Sequence, residues 1–180
     1  MKFEELLVLD EQISARLRVA ENPGLVRNLA AFFAHSGDSW FWILGLLVVW
    51  FAGNPFWKVR ALVLGISILV TAILVMAIKF TVRRGRPAGE WGGVYRKTDP
   101  HSFPSGHAAR AFLLAVLALG LGPLWFGVLL WIWAPFVGLA RVSMGVHYLS
   151  DVLAGVVLGV LMGWVNLKLA LEILTALGWA

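Results

Sequence analysis

Apolar residues run through this chain in long blocks broken by short polar segments, and the period inside each block predicts what it becomes. From about residue 2 to residue 20 the apolar positions Leu6, Leu9, Ile13 and Leu17 recur at helical spacing, with Glu4, Glu5, Asp10, Glu11, Arg16 and Arg18 elsewhere. This predicts an amphipathic helix lying on a membrane surface. Asn22, Pro23 and Gly24 break it, and residues 25–34 form a second amphipathic piece carrying Arg27, too short and too polar to span. Residues 39–52 then read SWFWILGLLVVWFA, a first, short spanning helix whose Trp40, Trp42 and Trp50, with Trp57 beyond, suit the two headgroup boundaries. An uncharged run over 61–78 makes the second span and ends at Lys79, and the Gly- and Pro-rich stretch 81–104 is a loop outside the hydrocarbon.

The run after Arg110 poses the main topological choice. As one straight helix, its roughly thirty uncharged residues would measure about 45 Å, more than a bilayer core needs. Gly120, Gly122 and Pro123 also stand at its middle. A hairpin of two spans, 105–121 and 124–139, fits both facts and returns Arg141 and His147 to the face that holds Lys79, Arg86 and His107. The last span runs from about 148 to 167, with Gly155, Gly159 and Gly163 making a small-residue face that allows close helix approach. Packing inside the chain is the simpler use of that face, with a homodimer seam as the alternative. The expected fold is an all-α integral membrane protein, a bundle of about five transmembrane helices with N-terminal amphipathic interfacial helices. The whole of 1–180 reads as one domain, with 1–36 amphipathic and 37–180 the bundle.

Composition agrees. Hydrophobic residues make up 60% and charged ones 14%, with ten Trp and a mean hydropathy of +0.83, far from a soluble mixture. Cysteine is absent, which removes disulfides, thiolate metal sites and thiol nucleophiles. The net charge of +5 suits anionic headgroups or phosphate better than nucleic acid, because the basic residues cluster at one membrane depth. The acidic N-terminus is unlike a signal peptide, so no cleaved leader is expected.

Charge then singles out three blocks: KFTVRRGRP over 79–87, PSGH over 104–107 and RVSMGVHYLSD over 141–151. Lys79, Arg86 and Arg141 would converge with little nearby acid, which is unfavourable unless an anion is bound, and arginine forks pair with phosphoryl oxygens. His147 and Asp151, four apart at a helix start, share one face, so the carboxylate can fix the imidazole tautomer and leave a ring nitrogen to attack phosphorus. Ser105 and Gly106 precede a helix whose backbone N–H groups can point at the same anion, and His107 in its first turn can protonate the leaving oxygen. Each residue alone has a plainer explanation. Lys79 and Arg110 would be snorkelling side chains, Arg83 and Arg84 a solvated pair, and His35 and His101 loop histidines. Separate accidents would not gather all three blocks at one membrane face.

Together the blocks resemble the signature of the type 2 phosphatidic acid phosphatase family: Lys79 with Arg86-Pro87, Pro104-Ser105-Gly106-His107, and Arg141 with His147 and Asp151. The resemblance covers the chain from the second span to the fifth. It implies a helical bundle and a metal-independent phosphohydrolase with no cofactor. His147 would be the nucleophile forming a phosphohistidine, Asp151 its partner and His107 the acid, with Lys79, Arg86, Ser105, Gly106 and Arg141 holding the phosphate. Ala140 stands where the family often has Ser. The amphipathic N-terminus followed by His35-Ser36-Gly37-Asp38 and a Trp-rich span is loosely similar to small bacterial members acting on polyprenyl diphosphates or related lipid phosphates, such as phosphatidylglycerol phosphate. The implied substrates are a polyprenyl diphosphate, phosphatidylglycerol phosphate, phosphatidate or a lipid A phosphate, among membrane lipids and without nucleic acid. Two other classes compete: vanadate-dependent haloperoxidases, which are soluble, and a lipid-phosphate binder or transport-associated protein, for which cations alone would suffice. Raw Lys and Arg counts favour a cytoplasmic site, but several of those cations are engaged with phosphate. The similar bacterial enzymes imply an extracytoplasmic site in a bacterial cell or inner membrane.

Overall fold

The computed structural model describes residues 3–89, 91–176 and 178; Lys2, where the first helix was expected to begin, lies outside them. Among the described residues eight helices follow in order: α1 (Phe3–Arg16), α2 (Leu25–Ser36), α3 (Ser39–Ala52), α4 (Pro55–Val82), α5 (Gly93–Thr98), α6 (Gly106–Leu121), α7 (Leu124–Ser143) and α8 (Leu149–Ala176). Among the described residues the extended pairing is one isolated bridge, between Gly85 and His101. It ties the two ends of the loop that follows α4.

The bundle is organised around α6. Every residue from Ala108 to Ala118 is buried, although the helix has only 16 residues. It is walled by α7, α8 and α4. The hairpin expected at Gly122 and Pro123 is present: Gly122 N–H closes α6 on the Ala118 carbonyl at 2.9 Å, and Pro123 caps α7. On the other side of α6 lies the glycine face of α8. A Cβ on Gly155 would stand 2.5 Å from the Ser105 carbonyl oxygen, one on Gly163 2.7 Å from Val116 Cβ, and one on Gly159 would overlap the Ala109 carbonyl. The small residues therefore bring two backbones of the same chain together.

By length and apolar composition α4, α7 and α8 can each cross a membrane, and α2 with α3 forms a fourth candidate bent by 53°. The remaining expected span, α6, is apolar but shorter, roughly 24 Å long. The segment expected to be too short and too polar to span is thus joined to α3, and it packs along α7, with Phe33 stacked on Phe136 at 5.1 Å. The first helix also does more than lie on a surface. Its apolar side chains Leu6, Val8, Leu9 and Ile13 are exposed, while Asp10 and Ser14 cap the start of α8 by accepting from the Ser150 and Leu149 N–H groups at 3.0 and 2.9 Å.

Candidate active site

The turn between α7 and α8 carries the imidazole. Gly145, at φ 66°, lets the chain reverse where a side chain would be strained, and Val146 and His147 donate to the Arg141 carbonyl at 3.1 and 3.3 Å. Asp151 sits in the first turn of α8 and its Oδ2 accepts from the Tyr148 N–H at 2.8 Å, the reciprocal half of a capping box. The same oxygen lies 3.6 Å from His147 Nδ1, within ion-pair reach but long for a hydrogen bond. His147 Nε2 is 3.1 Å from Arg86 Nη1. A guanidinium only donates, so Nε2 holds the lone pair and Nδ1 the proton, facing Asp151. Burial first, with the charges of Arg141 and Arg86 adding and Asp151 opposing, pushes the His147 pKa down to about 3. The imidazole is neutral at physiological pH, as a nucleophile requires.

The cations stand around that lone pair. Arg86 lies in the loop after α4, where Arg83 ends the helix in a left-handed conformation at φ 53°. It donates from Nε to the Asp99 carbonyl at 2.6 Å and from Nη1 to the Val146 carbonyl at 2.8 Å. Lys79, on the last turn of α4, donates to the His101 carbonyl at 2.9 Å. Arg141 is fully buried and donates to the Ala34 carbonyl at 3.3 Å, tying α7 to α2. The expectation of little nearby acid is wrong here. Asp99 Oδ2 accepts from Arg86 Nη2 at 2.8 Å and also from Lys79 Nζ, so one carboxylate holds the two cations together. Burial before all else drives the Arg86 pKa down, with Asp99 opposing.

Ser105 caps α6 as expected, accepting from the Ala108 N–H at 3.4 Å, while its own N–H donates to the Asp151 carbonyl at 2.9 Å. The helix that carries His107 is thereby locked to the helix that carries Asp151. Gly106 lies beside Val75 and lines the cavity with His107. His107 Nε2 is 2.7 Å from Asp38 Oδ1, and His35 Nδ1 is 3.1 Å from Asp38 Oδ2. Arg110 does not snorkel: it is buried and donates to the Gly37 carbonyl and, at 2.7 Å, to Ser39 Oγ.

Lys79, Arg86, Gly106, His107, Arg141 and His147 thus line one cavity of about 570 Å³. Ser105 and Asp151 stand behind its wall. Ile68, Thr71, Ala72, Val75 and Met76 of α4, with Trp40 of α3, continue the same cavity toward the bundle's outer face. Five partners of the site were not expected: Asp10, Asp38, Arg84, Asp99 and Arg110. Arg84, expected to be solvated, donates at 2.8 Å to Asp151 Oδ1, 2.7 Å to Ser150 Oγ and 2.7 Å to Asp10 Oδ2. No local signal marked this pairing, since Asp10 stands among the charged positions off the apolar stripe of α1 and 74 positions from Arg84. Ala140 is packed in an apolar cluster with Ala20, Ala34 and Met144, which leaves no polar role at that position. Among the described residues no group of three or more acidic or imidazole side chains is placed to hold a metal ion.

A family model described as the PAP2 superfamily matches residues 60–173. A decaprenylphosphoryl-5-phosphoribose phosphatase of Mycobacterium tuberculosis is 31% identical over 152 residues, 84% of each chain. An undecaprenyl-diphosphatase of Sulfolobus acidocaldarius is 30% identical over 148 residues, 78% of this chain and 68% of the relative. A lipid A 1-phosphatase of Porphyromonas gingivalis is 37% identical over 93 residues, but the match spans only 19% of that longer protein and 50% of this one. Among solved structures, LpxE of Aquifex aeolicus superposes with a TM-score of 0.71 at 27% identity, over 89% of this chain and 95% of that one. The transmembrane PAP2-type phosphatidylglycerolphosphate phosphatase of Bacillus subtilis shares the fold, with a TM-score of 0.76 over 94% and 88% of the two chains, at 23% identity.

Proposed function

Because the chain belongs to the PAP2 superfamily, whose relatives here are phosphatases of lipid phosphates, we propose that it removes the terminal phosphate of a membrane lipid phosphate or diphosphate through a phosphohistidine on His147. The carrying observation is the His147 Nε2 lone pair held 3.1 Å from Arg86 in a cavity that Lys79 and Arg141 also line. A phosphoryl group bound by these cations would sit against the nucleophile, and catalysis would come from positioning and charge, with no metal in the step. Arg86 and Arg141 would hold equatorial oxygens, Lys79 would add a mobile point charge, and the Gly106 end of α6 would offer backbone N–H groups. Departure of the lipid oxygen would take a proton from His107, and water would then hydrolyse the P–N bond.

The apolar wall from Ile68 to Met76 supports a lipid tail lying against α4, with the phosphate at the polar end. The two relatives that match along most of both chains are named for polyprenyl-linked substrates, which supports a prenyl chain ahead of a glycerophospholipid or lipid A. The site is proposed to open on the extracytoplasmic face. The test is phosphate release by detergent-purified protein from an undecaprenyl diphosphate, a phosphatidylglycerol phosphate, a phosphatidate and a lipid A phosphate. The prenyl substrate should give the highest kcat/KM, and His147→Ala should abolish release from all of them while the helical circular dichroism is kept. Turnover by that variant at the wild-type rate would remove His147 as nucleophile.

A further inference from the structure

Arg110, Gly37 and Asp38 together make a device that the reaction as described so far does not use. The break between α2 and α3 is fixed from the α6 side, because Arg110 donates from Nε to the Gly37 carbonyl at 3.0 Å and from Nη1 to Ser39 Oγ at 2.7 Å. At Gly37 the two segments are in close contact: a Cβ there would lie 3.3 Å from His107 Cδ2 and 2.7 Å from Val137 Cγ1. The residue between these two anchors is Asp38, whose carboxylate side chain is only 17% exposed and reaches His107 Nε2 at 2.7 Å. An arginine committed to three contacts on a two-residue break, and a glycine that admits the imidazole edge, set that carboxylate at a defined place on the ring.

We propose that Asp38 is the positioning residue of the general acid: it holds the Nε2–H of His107 so that the opposite ring nitrogen, Nδ1, carries the proton to the leaving oxygen. The reasoning rests on the reading of the site as a phosphohydrolase. His107 shares its cavity with Arg110 of its own helix and Arg141 of α7, and Asp38 from the α2–α3 break, itself bonded to His35, places a negative charge on the Nε2 side of the ring. As the bond from His147 Nε2 to phosphorus forms and the bond from phosphorus to the lipid oxygen breaks, that oxygen takes the Nδ1 proton. His107 is left neutral, with its remaining proton toward Asp38. Water then attacks the phosphohistidine and gives its proton to His107 Nδ1. The P–N bond breaks, inorganic phosphate leaves and His147 regains its lone pair.

Leaving-group dependence separates this role from a structural one. A long-chain alkyl phosphate expels a strongly basic alkoxide and needs the acid, whereas p-nitrophenyl phosphate expels a weakly basic phenolate and does not. Asp38→Asn keeps the shape and removes the charge. It should lower kcat on the alkyl phosphate by about 100-fold and on p-nitrophenyl phosphate by less than about threefold. Asp38→Glu should recover a substantial part of the alkyl phosphate rate. Equal losses on both substrates, or no loss on either, would overturn the proposal, and turnover of p-nitrophenyl phosphate serves as the internal measure of folding. The failure of the phosphohydrolase reading would look different: the wild type would turn over neither substrate, or His147→Ala would turn over both.

Discussion

Removal of the Arg84 guanidinium is the sharpest test of how His147, the proposed nucleophile, is held. Asp151 is fully buried, and its two oxygens are divided: Oδ2 takes the Tyr148 N–H and faces His147, and Oδ1 takes Arg84. Arg84→Ala leaves Oδ1 without its cation in the interior. Deleting one partner of a buried pair costs about 3–5 kcal/mol, and the lower end applies because Asp10 and Ser150 keep bonds to each other. A loss of about 3 kcal/mol of stability is therefore expected, read as a lower melting temperature in detergent. The rate should suffer separately. A carboxylate that has lost Arg84 can relieve its burial by binding a proton, and then it no longer fixes the His147 tautomer. The expected drop in kcat is about 100-fold, near the lower end of what a positioned acid–base partner contributes. Arg84→Lys keeps the charge with a single donor head in place of the fork, so it should fall between the two. If Arg84→Ala melts with the wild type and keeps kcat within about threefold, Asp151 does not depend on this cation and the coupling of α1 to the site fails with it.

Other expectations follow from the same geometry. The His147 imidazole should stay neutral at pH 5, because its folded pKa of about 3 lies below the ordinary 6.5; a nitrogen-15 imidazole spectrum titrating near 6.5 would contradict the burial argument. Its contribution to stability is fully present above 6.5. As pH falls from there toward 3 it is lost, since in that window the unfolded chain binds a proton that the folded one does not. Gly159→Leu should prevent assembly of the bundle, because even a Cβ there would overlap the Ala109 backbone; a variant that purifies with wild-type melting would show that α6 and α8 can separate without cost.

What the linear sequence made legible and what it hid differ for a physical reason. The hairpin could be read because hydrocarbon thickness limits a helix and Gly122-Pro123 breaks one, both local facts. The glycine face of α8 could be read because its spacing is its mechanism. The three charged blocks stood out because cations and imidazoles next to apolar sequence are conspicuous, and the structure brings those at 79, 86, 107, 141 and 147 to one cavity. Counter-charges carry no such pattern. Asp99 and Asp38 sit in short breaks where a carboxylate looks like ordinary loop polarity, and Arg84 meets Asp10 across 74 positions of chain. The bend between α2 and α3 was equally hidden. Arg110 makes it, and its role depends on a backbone carbonyl that no spacing announces.

The counter-charges also explain how a site with so many cations holds its shape. Asp99 accepts from Lys79 and Arg86 together, so the chain itself partly neutralises those two cations, and in the proposed reaction an incoming anion would compete with that carboxylate. Arg141, buried and anchored to α2 through the Ala34 carbonyl, lines the same cavity. A terminal phosphate presents enough oxygens to meet Lys79, Arg86 and Arg141 at once, whereas a lipid carboxylate offers no more than Asp99 already does. In the proposed reaction that difference would favour a phosphate over a carboxylate. It would also be coupled to the proposed chemistry, because the Arg86 nitrogen that contacts the His147 lone pair is the one a phosphoryl oxygen would draw away, leaving that lone pair turned toward phosphorus.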